Sequence, residues 1–195
     1  MNLEDTQTLK NLARAFATET QDGARYQFLK QQAIQQQLNY AANTLKLLAT
    51  NEMAHAKLWW SLITENDKVS HKNIEIKAGF PYETGEFVDQ IGIVADVEDR
   101  EGSRIYVDFA KTARKEGLAD IAEKFDMVAS VELQHSAILT QLYKGLKDGA
   151  LYKSQQAVEW KCTKCGYIGT AKTAWKTCPV CMMPQGFAEG QIPLK

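Results

Sequence analysis

The segment Glu52-Met53-Ala54-His55 recurs as Glu132-Leu133-Gln134-His135, both times within apolar, helix-patterned sequence. Residues three apart on a helix stand one above the other, so each motif aims a carboxylate and an imidazole at a single point. The chain has 3 histidines and two of them fall in these motifs; the third, His71, lies in a polar stretch. One Glu-x-x-His is ordinary on an exposed helix face. Two copies in matching sequence are not. Leu45, Leu48, Ala49, Glu52 and His55 align with Phe125, Val128, Ala129, Glu132 and His135 at a constant offset. Upstream, Glu19-Thr20-Gln21-Asp22-Gly23 aligns with Glu98-Asp99-Arg100-Glu101-Gly102 at an offset one residue shorter. The first part of the chain therefore reads as a two-helix unit used twice.

The apolar periodicity predicts four long helices. The first starts at Asp5 or Thr6 and runs to about Gln37, with Leu9, Leu12, Phe16, Glu19, Gly23, Tyr26 and Phe28 or Lys30 on one stripe. The second runs from Leu38–Tyr40 to Thr64, with Asn39 as candidate cap and Trp60 as a packing residue. A polar connection over 65–85, containing Asn66, Asp67 and Ser70 and a short alternating run at Ile74 and Ile76, separates the halves. Ordinary antiparallel neighbours do not need a connection of that length; bundles with one long crossover do. The third helix spans Glu86 to Glu116, with Gly117 as a left-handed terminator, and the fourth spans Leu118 to Lys147.

Inward stripes are expected to be apolar, yet these carry Glu19, then Glu52 with His55, then Glu98 with Glu101, then Glu132 with His135. Buried carboxylates are costly unless they meet a positive charge or a metal. One Glu from each of two helices and a Glu-x-x-His from each of the other two is the ligand inventory of carboxylate di-iron and di-manganese bundles. Here there is one carboxylate more. Two divalent ions bridged by Glu52 and Glu132 would offset the mutual repulsion of the five glutamates. Asp22, one turn after Glu19, is read as a supporting or surface residue.

All 4 cysteines lie in two knuckles near the C-terminus, Cys162-Thr163-Lys164-Cys165 and Cys178-Pro179-Val180-Cys181. Paired Cys-x-x-Cys at this separation predicts a tetrahedral four-thiolate metal site rather than disulfides. So short a tail needs that staple to fold. Residues 150–158 read as a linker or extended lead-in, and Trp160, Tyr167, Trp175 and Phe187 as the tail's small core. The expected division is thus 1–149 and 150–195. A formal net charge of −1 argues against nucleic acid or an anionic membrane as partner, and no long apolar run or signal-like N-terminus stands out. A cytoplasmic protein is expected.

The knuckles resemble rubredoxin, and a rubredoxin-like tail on a ferritin-like four-helix bundle resembles rubrerythrin. The resemblance extends through Ala15-Phe16-Ala17-Thr18-Glu19, Arg25-Tyr26, Glu52-Met53-Ala54-His55-Ala56, Tyr106-Val107-Asp108-Phe109-Ala110, Glu116-Gly117 and Glu132-Leu133-Gln134-His135. It implies a non-haem di-iron peroxidase that reduces hydrogen peroxide to water. Its electrons come from NAD(P)H through a separate reductase and an Fe(Cys)4 centre at Cys162, Cys165, Cys178 and Cys181, although spacing alone leaves zinc open there. The resemblance further implies that Glu52 and Glu132 bridge two irons, Glu19 and Glu98 are terminal ligands, and His135 binds one iron. Glu101 and His55 alternate on the other, and Tyr26 and Tyr106 bond to ligand carboxylates. A head-to-tail homodimer is implied as well. Thr18, Asp22, Val97 and Val107 depart from the family pattern around these ligands. Ferritin-type iron oxidation and a zinc-ribbon binding protein are the alternative classes.

Overall fold

The computed structural model describes residues 3–65, 73–82 and 84–190; His71 and the connection residues Asn66, Asp67 and Ser70 lie outside them. Helix α1 spans Gln7–Gln35, α2 Asn39–Thr64, α3 Phe87–Arg100, α4 Tyr106–Lys115 and α5 Ala119–Lys147. A π-helical turn, Glu101–Ile105, joins α3 to α4, so the expected third helix is one rod with a wider turn in its middle. The chain thus forms the expected four-helix bundle followed by a small three-stranded sheet.

Thr6 caps α1 as expected, its hydroxyl accepting from the Leu9 N–H at 3.1 Å. The remaining free N–H groups of that first turn meet Glu116 from the far end of α4. Its Oε1 accepts from Gln7 N at 2.8 Å and its Oε2 from Thr8 N at 2.9 Å, a carboxylate placed on the positive end of the helix dipole. The α1–α2 and α4–α5 turns use one device. Gln37 and Gly117 take left-handed backbone (φ 58° and 74°), and the next residues, Leu38 and Leu118, donate back to Ala33 O and Ala113 O, both at 2.8 Å. Asn39 is therefore not the cap of α2. Leu38 holds that position without a side-chain bond, because the preceding turn already fixes the backbone.

Two apolar clusters fill the bundle on either side of its middle. One gathers Leu12, Trp59, Tyr106, Phe109 and Phe125, with the Trp59 and Phe125 rings stacked at 4.6 Å. The other gathers Tyr26, Leu29, Leu45, Leu48, Ile91 and Leu139. Fully burying each large side chain is worth about 1.5–3 kcal/mol, so these layers clamp the polar middle from both ends. Leu29, rather than Phe28 or Lys30, continues the stripe of α1; Phe28 is exposed. Trp60 is also exposed and rests against Phe16. Over 73–82 the connection has no regular secondary structure, and Ile74 packs on the first cluster.

Strands β1 (Lys153–Cys162), β2 (Ile168–Thr173) and β3 (Ala188–Gly190) form an antiparallel sheet in the order β2-β1-β3. The expected lead-in is thus largely the first half of β1. Trp160, Ala174 and Ala188 form the small core, with Trp175 and Tyr152 packed on it. This unit is seated on the α1–α2 turn. Asn39 Nδ2 donates to Thr163 Oγ1 at 2.7 Å, and Gly186 packs so tightly that a Cβ there would lie 1.8 Å from the Gln37 carbonyl oxygen. Gly186→Ala is expected to lift the cysteine-bearing unit off the bundle without unfolding either. Limited proteolysis around 150–153 should become faster while far-ultraviolet circular dichroism stays unchanged; wild-type protection in the variant would show that the contact does not hold the two together.

Candidate metal centre

The four helices bring six of the seven expected bundle ligands together. Glu19, Glu52, His55 and Glu132 form one set and Glu52, Glu98, Glu132 and His135 another, the ligand atoms of each lying within 4.8 Å of one another. Glu52 and Glu132 belong to both. Each turns one oxygen to each imidazole: Glu52 Oε2 is 3.3 Å from His55 Nδ1 and its Oε1 2.9 Å from His135 Nδ1. Glu132 Oε1 is 3.0 Å from His55 Nδ1 and its Oε2 2.8 Å from His135 Nδ1. Carboxylates placed this way can bridge two cations.

Glu19 and Glu98 each use one oxygen for the protein and keep one for the centre. Glu19 Oε1 accepts from the Tyr106 hydroxyl and, at 3.0 Å, from Trp59 Nε1; Glu98 Oε1 accepts from the Tyr26 hydroxyl. The tyrosines are exchanged between the halves: the one on α1 holds the glutamate of α3, and the one on α4 holds the glutamate of α1. Trp59 and Asn51, whose amide lies 3.3 Å from His135 Nε2, complete the support. Neither was singled out as a site residue from sequence, because a tryptophan on an inward stripe reads as packing and an asparagine beside a ligand carries no spacing signal.

Glu101 is buried but lies outside both sets. It sits at the start of the π turn, across from Asp22, which is only 3% exposed and ion-paired with Arg25.

The oxygens turned to the centre lie close to the imidazoles, but the geometry of these contacts is poor for hydrogen bonding. Glu19 Oε2, Glu52 Oε1, Glu98 Oε2, both oxygens of Glu132 and His135 Nδ1 are buried without a well-directed partner. Buried polar atoms without well-directed bonds are costly, and these all face one place. Two divalent cations would satisfy them together. Carboxylate and imidazole donors suit iron. In the tail Cys162 Sγ lies 3.6 Å from Cys181 Sγ and Cys165 Sγ 3.7 Å from Cys178 Sγ, with all four thiols free. A tetrahedral ion with metal–sulfur bonds of about 2.3 Å needs sulfurs about 3.8 Å apart, close to both of these separations, so the four thiols suit iron or zinc.

A family profile described as Rubrerythrin matches residues 10–92 and 94–165, and a second, described as Rubrerythrin, rubredoxin-like domain, matches 160–187. The chain belongs to the rubrerythrin family. It is 34% identical to Rubrerythrin-1 of Clostridium acetobutylicum and 31% identical to the Rubrerythrin of Clostridium perfringens, in each case over 96% of both chains. In fold it is similar to a partially reduced nigerythrin (TM-score 0.63, 22% identity, 97% of this chain and 93% of that one). It is also similar to the Desulfovibrio desulfuricans bacterioferritin (TM-score 0.65, 20% identity, 77% of this chain and 86% of that one). Rubrerythrins are known for a di-iron role in oxidative stress, and the donor sets here fit two irons in the bundle and one iron or zinc at the cysteines.

Without cations the cluster stores protons instead. Burial pushes Glu19 up to about 8 and Glu98 well above the ordinary carboxylate range. Although burial acts to lower them, the imidazoles rise because carboxylates surround them, His55 to about 12 through Glu132, Glu19 and Glu52, and His135 to about 9 through Glu132 and Glu52. At neutral pH these groups therefore hold protons that an incoming cation must displace, so raising the pH favours the bound form. Titration of the metal-free protein with ferrous ion in weak buffer should release protons, and its apparent affinity should climb from about pH 6 to about pH 8. An affinity independent of pH would mean that the cation does not displace these protons.

Proposed function

We propose that the chain is a peroxidase that reduces hydrogen peroxide to water, with electrons passed from an NAD(P)H-dependent reductase through the four-cysteine site. The observation that carries this reading is the presence of a four-thiolate cage seated on the same chain as the carboxylate–imidazole cluster. Storage or simple oxidation of iron needs no one-electron relay, and a binding ribbon needs no inward metal ligands. Two ferrous ions bound in the bundle would supply the two electrons that one peroxide consumes.

The residues then have distinct tasks. Glu52 and Glu132 hold both cations, Glu19 and Glu98 each hold one, and His135 completes one site. His55 completes the other in the present arrangement, and Glu101, buried nearby but outside the set, is the residue that takes its place after oxidation. The hydroxyls of Tyr26 and Tyr106 fix the terminal carboxylates so that one oxygen of each stays directed at the centre. The two apolar layers exclude water from above and below.

The same proposal divides the chain into a di-iron bundle, 1–149, and a relay unit, 150–195. It also places two copies head to tail in the cytoplasm. Within one chain the relay unit touches Asn39, and the helical path from there to Glu52 is 13 residues, about 20 Å. A relay unit from a second copy laid against the bundle's side could come closer. Among the described residues no helix is long and apolar enough to cross a membrane.

Cys178→Ser breaks the cage and leaves the bundle ligands untouched. Pre-reduced variant should still consume about one equivalent of peroxide per di-iron site, yet lose steady-state turnover driven by NADH and a rubredoxin reductase. Steady-state turnover at the wild-type rate would exclude the relay.

A further inference from the structure

A cleft of about 200 Å3 opens between α1, the connection at 79–81 and the π turn, and Glu101 forms part of its wall. Thr18, Asp22, Arg25, Gly79 and Pro81 line it as well. Asp22 and Glu101 are equivalent positions of the two repeated halves, each three residues after a ligand glutamate, and both are buried here. A nearly buried aspartate needs a partner, and Arg25 provides it. The other end of the same guanidinium donates Nη2–H to the Pro81 carbonyl at 3.0 Å, tying the connection to α1 across the cleft. A planar guanidinium can serve both acceptors at once and hold them at a fixed separation.

Resting on the di-iron reading of the centre, we propose that this cleft is the passage by which peroxide reaches the metal ligands, and that Arg25 sets its width by holding Asp22 and Pro81 together. Charged side chains such as Arg100 and apolar ones such as Phe80 and Ile105 share the lining, and a volume of about 200 Å3 admits hydrogen peroxide with room to spare. Of the seven bundle residues expected to bind metal, Glu101 is the one that lines the cleft. That position ties substrate arrival to the residue proposed to move onto the metal.

Gly79 allows the passage to be narrowed gently. A Cβ there meets nothing within 4 Å and its backbone is not left-handed, so Gly79→Trp adds a bulky ring at the cleft without straining the fold. Nitric oxide is the probe: it is small and uncharged, and its binding to ferrous iron is followed by absorption in the fully metal-loaded, reduced protein. Gly79→Trp should slow its association several-fold with an unchanged equilibrium affinity, and Arg25→Ala, which releases the wall, should speed it. Another approach among the described residues is past His55, whose side chain is 13% exposed. Wild-type association rates in both variants would overturn the passage. A wild-type protein that binds no nitric oxide at all would overturn the di-iron reading and the passage with it, whereas normal binding with unaltered rates would remove the passage alone.

Discussion

Four helices direct more carboxylates at one buried place than the two imidazoles there can neutralise, and the rest of the structure answers to that fact. Burying one unpaired carboxylate is expensive, and Glu19, Glu52, Glu98, Glu101 and Glu132 are all buried. Protons shared with His55 and His135 neutralise part of this charge, but several oxygens still lack directed bonds. The apolar layers on either side supply the stabilisation that lets such a centre persist. Cations convert it from the costliest region of the bundle into one that ties all four helices together.

The internal repeat explains how so few residues achieve this. Each half supplies one glutamate that belongs to a single donor set, one Glu-x-x-His and one tyrosine, and the tyrosines cross over to brace the glutamate of the opposite half. Neither half can therefore complete its own site. The halves differ where function is expected to differ. Between Glu98 and Tyr106 there is one residue more than between Glu19 and Tyr26, and the helix absorbs it as the π turn that begins at Glu101. Gly102 lets this widened turn approach α5 closely, since a Cβ there would lie 2.6 Å from the Ala129 carbonyl oxygen. The first half has an ordinary helix at the equivalent place, with Asp22 turned to Arg25 instead.

Much of this is legible in the chain itself. Both Glu-x-x-His motifs, the inward Glu19 and Glu98, the cysteine knuckles and the Gly117 turn each combine a residue type with a spacing that few other arrangements use. The one-residue change of offset between the halves also marks the π turn, although periodicity alone cannot distinguish an inserted turn from a shifted alignment. Other features carry no such mark. The bond from Trp59 to Glu19 depends on which edge of an indole faces a neighbouring helix. The seating of Thr163 on Asn39 joins residues far apart in sequence, and Asn39 by itself reads as a helix cap. Glu101 shares the stripe of Glu98, yet it lies outside the ligand sets, as does its counterpart Asp22 in the first half. Leu29 replaces Phe28 in the core because the inward stripe of a 29-residue helix drifts with its 3.6-residue period.

The central claim is that the buried cluster is a two-metal site shared through Glu52 and Glu132. Its most direct test is metal analysis, paired with thermal melting, of iron-loaded wild type and the Glu52→Gln, Glu132→Gln double variant. Replacing both bridges with neutral isosteres removes charge from both sites while keeping shape. The wild type should carry two irons beyond the one held by the cysteines and melt well above its metal-free form. The variant should keep only the cysteine-bound metal and show no such difference. Unchanged bundle metal in the variant would contradict the assignment.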